Sequence, residues 1–302
     1  GGTNPEMPER LSNARPLRRL LVLGVISLCA VGAGAWACAL NGIPAAVWGR
    51  NLGAWLVGGL AAILVQRGGW RMLAALLPLA AILLGGAFLG PEQSGVHRWL
   101  GLGPLSINAA MLILPAAVIP LALFGGQSPW SWLIALACMA LLAAQPDRSQ
   151  AAAFGAASVW IALRTIRRRT PQVAVITATA LMLAGAILRP DPLKPVPEVE
   201  GILQLAYVLS PALAAAGLIS LLAFSVLPAG MTRDAAPANR LMGEALSVYF
   251  LVAAVMPFVG AYPVPLVGVG VGPVLGSWLA IGAFSAACSI AEKTDIAPDR
   301  TN

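Results

Sequence analysis

Residues 20–40 read LLVLGVISLCAVGAGAWACAL, and no side chain in the run carries a charge. As a helix rising 1.5 Å per residue, it spans about 30 Å, the hydrocarbon thickness of a bilayer. A polar, basic stretch ending at Arg19 precedes it. A secretory signal is the competing reading. The run is long for a signal core and no convincing cleavage site follows, so it reads as a first membrane helix.

The rest of the 302 residues repeat the pattern. The chain is 59% hydrophobic and 10% charged, with a mean hydropathy of +0.82. Soluble domains keep roughly a quarter of their residues charged. A chain this apolar takes the bilayer as its solvent. Further apolar spans fall at 44–65, 71–89, 104–124, 128–144, 150–166, 171–188, 201–228, 241–260 and 265–290. The expected fold is all-α: a polytopic bundle of about ten transmembrane helices. Residues 1–19 form an N-terminal segment, 20–290 the membrane domain and 291–302 a tail. Cys29, Cys38, Cys138 and Cys288 all lie inside spans and form no C-x-x-C pair. They read as small core residues, not disulfides or metal ligands.

The formal net charge is +7, which in a soluble protein would raise nucleic acid as a partner. Here the cations sit in short loops and read as topology signals. With ten spans, one set of loops and tails holds Arg10, Arg15, Arg18, Arg19, Arg67, Arg71, Arg164, Arg167, Arg168, Arg169, Arg233, Arg240, Lys293 and Arg300. The other holds Arg50, Arg98, Arg148, Arg189 and Lys194. The bias assigns both termini to the cytoplasm. The outward loops then carry Glu92, His97, Arg98, Asp147, Arg148, Arg189, Asp191, Lys194, Glu198 and Glu200. Tryptophans 48, 70, 99, 130 and 132 lie near span ends, as interfacial anchors do.

No soluble-enzyme motif is present. A single histidine rules against a histidine-based metal site. GVGVG at 268–272 permits close packing or a helix break more readily than it cradles phosphate. Arg50 falls inside a span. An intramembrane arginine is costly, and it either faces a polar cavity or snorkels to the headgroups.

One outward loop stands apart: Gly95-Val96-His97-Arg98-Trp99-Leu100-Gly101-Leu102-Gly103-Pro104-Leu105-Ser106-Ile107. A cation, an aromatic and a tight glycine turn lead into a helix. This stretch resembles the G-x-R-R-W-x-x-L-G-P-x-S-I-Q-P-S-E segment of the SEDS family of cell-wall polymerases. Gly95, Arg98, Trp99, Gly103, Pro104, Ser106 and Ile107 are in register, and Asn108 stands for the family's Gln. The P-S-E and a nearby Lys are replaced by Ala109, Ala110, Met111 and Leu114. Four more segments resemble the family in order. They are Arg50-Asn51 with Trp55 and Gly58, then Gln145-Pro146-Asp147, then 195–202 and finally 261–282. The long external loop that follows the family's seventh helix is reduced here to residues 189–200.

The resemblance implies a membrane glycosyltransferase that joins sugars from a lipid-diphosphate donor. Its essential aspartate falls on Glu200, which then acts as general base. Arg98 holds a phosphate. Arg50 and Asn51 line a lipid-accessible groove, Trp99 and Asp147 complete the substrate site, and no metal ligand set is present. A macrodipole-stabilised carboxylate at a helix start is the plain alternative for Glu200, and a turn-and-cap role is that for Asp147. A divalent cation bridging the donor diphosphate to Asp147 or Glu200 is compatible with this reading. The implied partners are membrane lipid, a lipid-linked saccharide and a single-span transpeptidase. Two other functions stand beside it: a non-catalytic scaffold of wall synthesis, favoured by the lost polar residues, and a precursor flippase.

Overall fold

The computed structural model describes residues 6–296, with side-chain surroundings described for 15–292. The calls on Arg10, Lys293 and Arg300, and the outer parts of both end segments, lie outside the residues so described. Eleven α-helices follow one another: α1 (Glu6–Leu40), α2 (Ala45–Arg67), α3 (Gly69–Gly86), α4 (Ala109–Phe124), α5 (Pro129–Ala144), α6 (Arg148–Thr165), α7 (Arg169–Leu188), α8 (Ile202–Leu209), α9 (Pro211–Met231), α10 (Pro237–Val255) and α11 (Val271–Ile296). They make ten helical passes, with α8 and α9 forming one broken pass.

Among the described residues, seven helices are long and apolar enough to cross a membrane alone, and α4 and α5 are shorter apolar helices. The tenth pass, α6, carries Arg148, Gln150, Ser158 and Arg164. Most of its residues are buried by protein, so lipid never tests its polarity. α4 is buried along almost its whole length, whereas α7 buries only Thr179 and Ala186. Apolarity alone therefore does not separate lipid-facing helices from buried ones, and the core of the bundle runs through α4, α6, α10 and α11.

Three boundaries differ from the sequence reading. The span expected at 104–124 starts at Ala109, because 99–108 form an antiparallel hairpin of β1 (Trp99–Leu102) and β2 (Leu105–Asn108). Gly103 sits at φ +59° in its two-residue turn, where a primed turn needs positive φ. The glycine turn thus closes a hairpin before the helix begins. The last span starts at Val271, after an irregular stretch with Leu266 at φ +62°. The eighth breaks at Ser210, whose side chain accepts the Leu213 amide, with Pro211 opening α9.

Close helix approach uses glycine. Trp278 of α11 lies 5.3 Å from Trp55 of α2, edge to face, and a Cβ at Gly24 or Gly58 would press into its indole. Trp55 and Gly58, which carry the resemblance in α2, are packing residues. At Gly276 the neighbour is the Met111 backbone carbonyl, which has no rotamer with which to retreat. Gly276→Ala is expected to cost about 1–3 kcal/mol, the usual range for overpacking. Gly32→Ala, with open space around it, leaves stability unchanged. Thermal unfolding of the two variants in detergent measures the difference.

Candidate functional site

One face of the bundle, here the hairpin face, gathers the loops 87–108, 145–147, 189–201 and 256–270. They enclose a cavity of about 270 Å³ above the N-termini of α4, α6 and α11. Four of the six expected site residues line it: Arg98, Trp99, Asp147 and Glu200.

Arg98 is the best connected. Its Nε donates to the Gln145 carbonyl (2.9 Å) and its Nη2 to the Pro146 carbonyl and to Asp191 Oδ2 (2.7 Å). The hairpin, the α5–α6 turn and the 189–201 loop are thereby fastened at one guanidinium, whose side chain is 11% exposed. Asp191, expected as a solvated loop charge, is its ionic partner. Its other oxygen accepts the Leu193 amide. In this arrangement Arg98 is a staple, and its anion is supplied by the chain.

Asp147 is buried and committed. Its Oδ1 accepts the Gln150 amide as the N-cap of α6 and also the Ser149 hydroxyl. Its Oδ2 accepts Asn108 Nδ2 (3.3 Å). Asn108 in turn caps α4 through the Met111 amide. The Gln145 side chain donates to the Leu84 carbonyl (2.7 Å). Gln145-Pro146-Asp147 is therefore a joint between α3, the hairpin, α4 and α6. A divalent cation does not fit these carboxylates. Asp147 has both oxygens in use and Asp191 is ion-paired.

Glu200 is half-buried. Its Oε2 accepts the Val196 amide (2.7 Å), closing a turn within the loop. It does not cap α8, which begins at Ile202, so the macrodipole reading is not what holds it. Burial pushes its carboxyl above the ordinary glutamate range. The Val196 and Glu200 amides pull it back in part, and Glu198 and Asp191 push it up further.

Arg50 and Asn51 do not line this cavity. Arg50 is exposed on α2 near its start. Asn51 is buried: its Nδ2 donates to the Gly268 carbonyl and its Oδ1 accepts the Gly270 amide, both at 2.9 Å. That clamp fixes the irregular stretch before α11. From the same stretch, the Val269 amide donates to the Glu198 carbonyl and Val264 to Val199. Asn51 thus steadies the loop bearing Glu200 from outside the cavity.

The sequence reading missed two cavity cations, Arg148 and Lys194. Arg148 donates through Nη2 to the Arg189 carbonyl (2.6 Å), and its buried Nε has no acceptor among the described residues. The available signal was position: Arg148 is the first residue of α6, next to the Asp147 cap. The cavity therefore holds three cations, one raised carboxylate and three helix starts with their positive dipole ends.

No family model matches the chain, and no curated protein matches it in sequence. Solved structures do match in shape. A single-substitution variant of the Thermus thermophilus rod shape determining protein RodA superposes with a TM-score of 0.63 at 20% identity, covering 88% of this chain and 96% of that one. RodA itself gives 0.61 at 19%, covering 88% and 95%. A chain from a structure described as the coordination of polymerization and crosslinking by a peptidoglycan synthase complex gives 0.64 at 20%, covering 89% and 97%. The chain thus has the RodA-like fold of the SEDS proteins, an integral membrane helix bundle. It keeps that fold over nearly the full length of each of these neighbours.

Two outcomes follow from the site geometry. Arg98→Ala is expected to cost about 3 kcal/mol, as when one member of a buried pair is removed. Asp191→Ala is expected to cost about 2 kcal/mol, less than Arg98→Ala because Arg98 keeps its two carbonyls. Unfolding of both variants in detergent checks the order. Glu200 binds its proton more tightly folded than unfolded. Its contribution is therefore favourable below the unfolded-state value and lost as pH rises through the raised one. Glu200→Gln is thus more stable than the parent at pH 7.5, and the gap closes toward pH 4. Melting temperatures across that range measure it.

Proposed function

We propose that the chain is a membrane glycosyltransferase that joins sugars from a lipid-linked, peptidoglycan-type precursor at the hairpin face. The supporting observation is that Glu200 and three cations line one cavity. In this reading the acceptor hydroxyl gives its proton to Glu200 as its oxygen bonds to the anomeric carbon of the donor. The bond from that carbon to the diphosphate oxygen breaks, and the lipid diphosphate leaves with the electron pair. A positioned base contributes about 10²–10⁴-fold, and its raised affinity for a proton brings it nearer the working pH. Arg148, Lys194 and the starts of α4, α6 and α11 meet the charge that develops on the diphosphate. Arg98 joins them when Asp191 yields to phosphate, and Trp99 offers a face to a sugar ring.

The cation bias assigns the hairpin face to the outside of a bacterial inner membrane, with both termini cytoplasmic. Residues 20–290 act as one SEDS-like membrane domain between two cytoplasmic ends. A single-span transpeptidase is the partner in this reading. The coupling of polymerization and crosslinking in the matched synthase complex supports it.

A scaffold without turnover is the second reading. The Arg98–Asp191 ion pair (2.7 Å) favours it, because the cation expected to hold phosphate already has an anion. Polymerisation of a labelled lipid-linked disaccharide by the purified protein in liposomes separates the two. The enzyme reading expects glycan chains, with Glu200→Gln lowering the rate about 100-fold or more and Arg148→Ala about tenfold. Asp191→Asn retains turnover. If the parent makes no polymer while Glu200→Gln still co-purifies with wall-synthesis proteins and supports growth, the scaffold stands and the catalytic assignment falls.

A further inference from the structure

The opposite face carries a second built feature. The ends of α1, α9 and α11 enclose a cavity of about 710 Å³, lined by Arg15, Arg18 and Arg19 with Asp234 and Glu292. Arg15 and Arg18 are exposed, whereas Arg19 is 8% exposed. Arg19 Nη2 donates to Glu292 Oε1 at 2.5 Å. Its Nη1 is buried with no acceptor among the described residues. The Ser285 hydroxyl donates to the Pro16 carbonyl (3.1 Å), fixing α1 against α11 where the arginines begin.

A buried guanidinium nitrogen without an acceptor is costly and calls for a ligand oxygen. Glu292 is already balanced by Arg19, which leaves Arg15 and Arg18 against Asp234, the one other carboxylate among the described residues that line the cavity. The rest of the wall is apolar: Val22 on α1, with Leu227 and Met231 on α9. Cations above and hydrocarbon below match a phosphate group carrying acyl chains.

We propose that this cavity is a phospholipid site, in which Arg15, Arg18 and Arg19 grip the phosphate and the acyl chains lie along α1 and α9. Guanidinium–phosphate pairing is bidentate and short-ranged, so the phosphate docks at the arginines and the chains set the orientation. The site is independent of the hairpin-face cavity and of any activity there. It lies at the far end of the helices and would tie the bundle to one leaflet's lipids.

Native mass spectrometry of the detergent-purified full chain tests this with phosphatidylglycerol, diacylglycerol as the phosphate-free control, and glycerol phosphate as a soluble competitor. The expected result is one phosphatidylglycerol retained after bulk lipid is stripped, with no comparable diacylglycerol adduct. Arg15→Ala and Arg18→Ala change exposed residues and keep the fold. Each lowers retention about fivefold, the worth of one surface cation near a phosphate. Arg19→Lys keeps the charge without the fork and lowers it as well, and its melting temperature reports whether the bundle is intact. Equal retention of diacylglycerol, or retention indifferent to all three substitutions, overturns the site. Displacement of the lipid by millimolar glycerol phosphate overturns the lipid assignment in favour of a soluble phosphate ester.

Discussion

The hairpin face depends on how irregular backbone is satisfied at the edge of a bilayer. Loop carbonyls and amides near hydrocarbon need protein partners, because lipid offers none. Arg98 answers this for the α5–α6 turn by donating to two successive carbonyls, at Gln145 and Pro146, while its charge meets Asp191. Asn51 answers it for the stretch before α11, where one amide group serves both Gly268 and Gly270. The two anchors act from different helical passes. Backbone bonds from Val264 and Val269 to Val199 and Glu198 then carry the order into the loop of Glu200. The loop that bears the carboxylate is thus held by groups that do not touch the carboxylate itself.

This arrangement explains what the residues disclosed in advance. The ten passes were legible because most helices face lipid and must be apolar. α6 was legible through its flanking turns despite Arg148 and Gln150. The hairpin was not, because Leu105-Ser106-Ile107-Asn108 runs without a break into an apolar helix, and only the Asn108 cap separates strand from span. The break at Ser210 was hidden for the same reason: both sides of it are apolar. Arg98, Trp99, Asp147 and Glu200 were picked out by motif and meet at one cavity. Partners were not legible. Asp191 and Arg148 are ordinary loop charges in a linear reading, and their pairing depends on which loops the bundle brings together. Asn51 was read as groove-lining because polarity within a span signals function. Here it signals an unsatisfied backbone that needed an amide.

The apolar α4 start and the short 189–201 loop have a common consequence. With Ala109, Ala110 and Met111 at the head of α4, that wall of the cavity holds no carboxylate, and Asn108 spends its amide on capping and on Asp147. Asp147 and Asp191 are likewise engaged. Glu200 is left as the cavity carboxylate held only by backbone amides, with Oε2 on the Val196 amide and no cation or side chain paired to it among the described residues. The side chain folds back four residues to close a turn on Val196. A short loop that fixes its own carboxylate needs less surrounding structure to do so, consistent with a 189–201 segment that is small and has no helix of its own. Preorganisation that a larger loop would supply from outside is built here into one five-residue turn, and its strength rests on the Val196 hydrogen bond and on the burial that raises the proton affinity of Glu200.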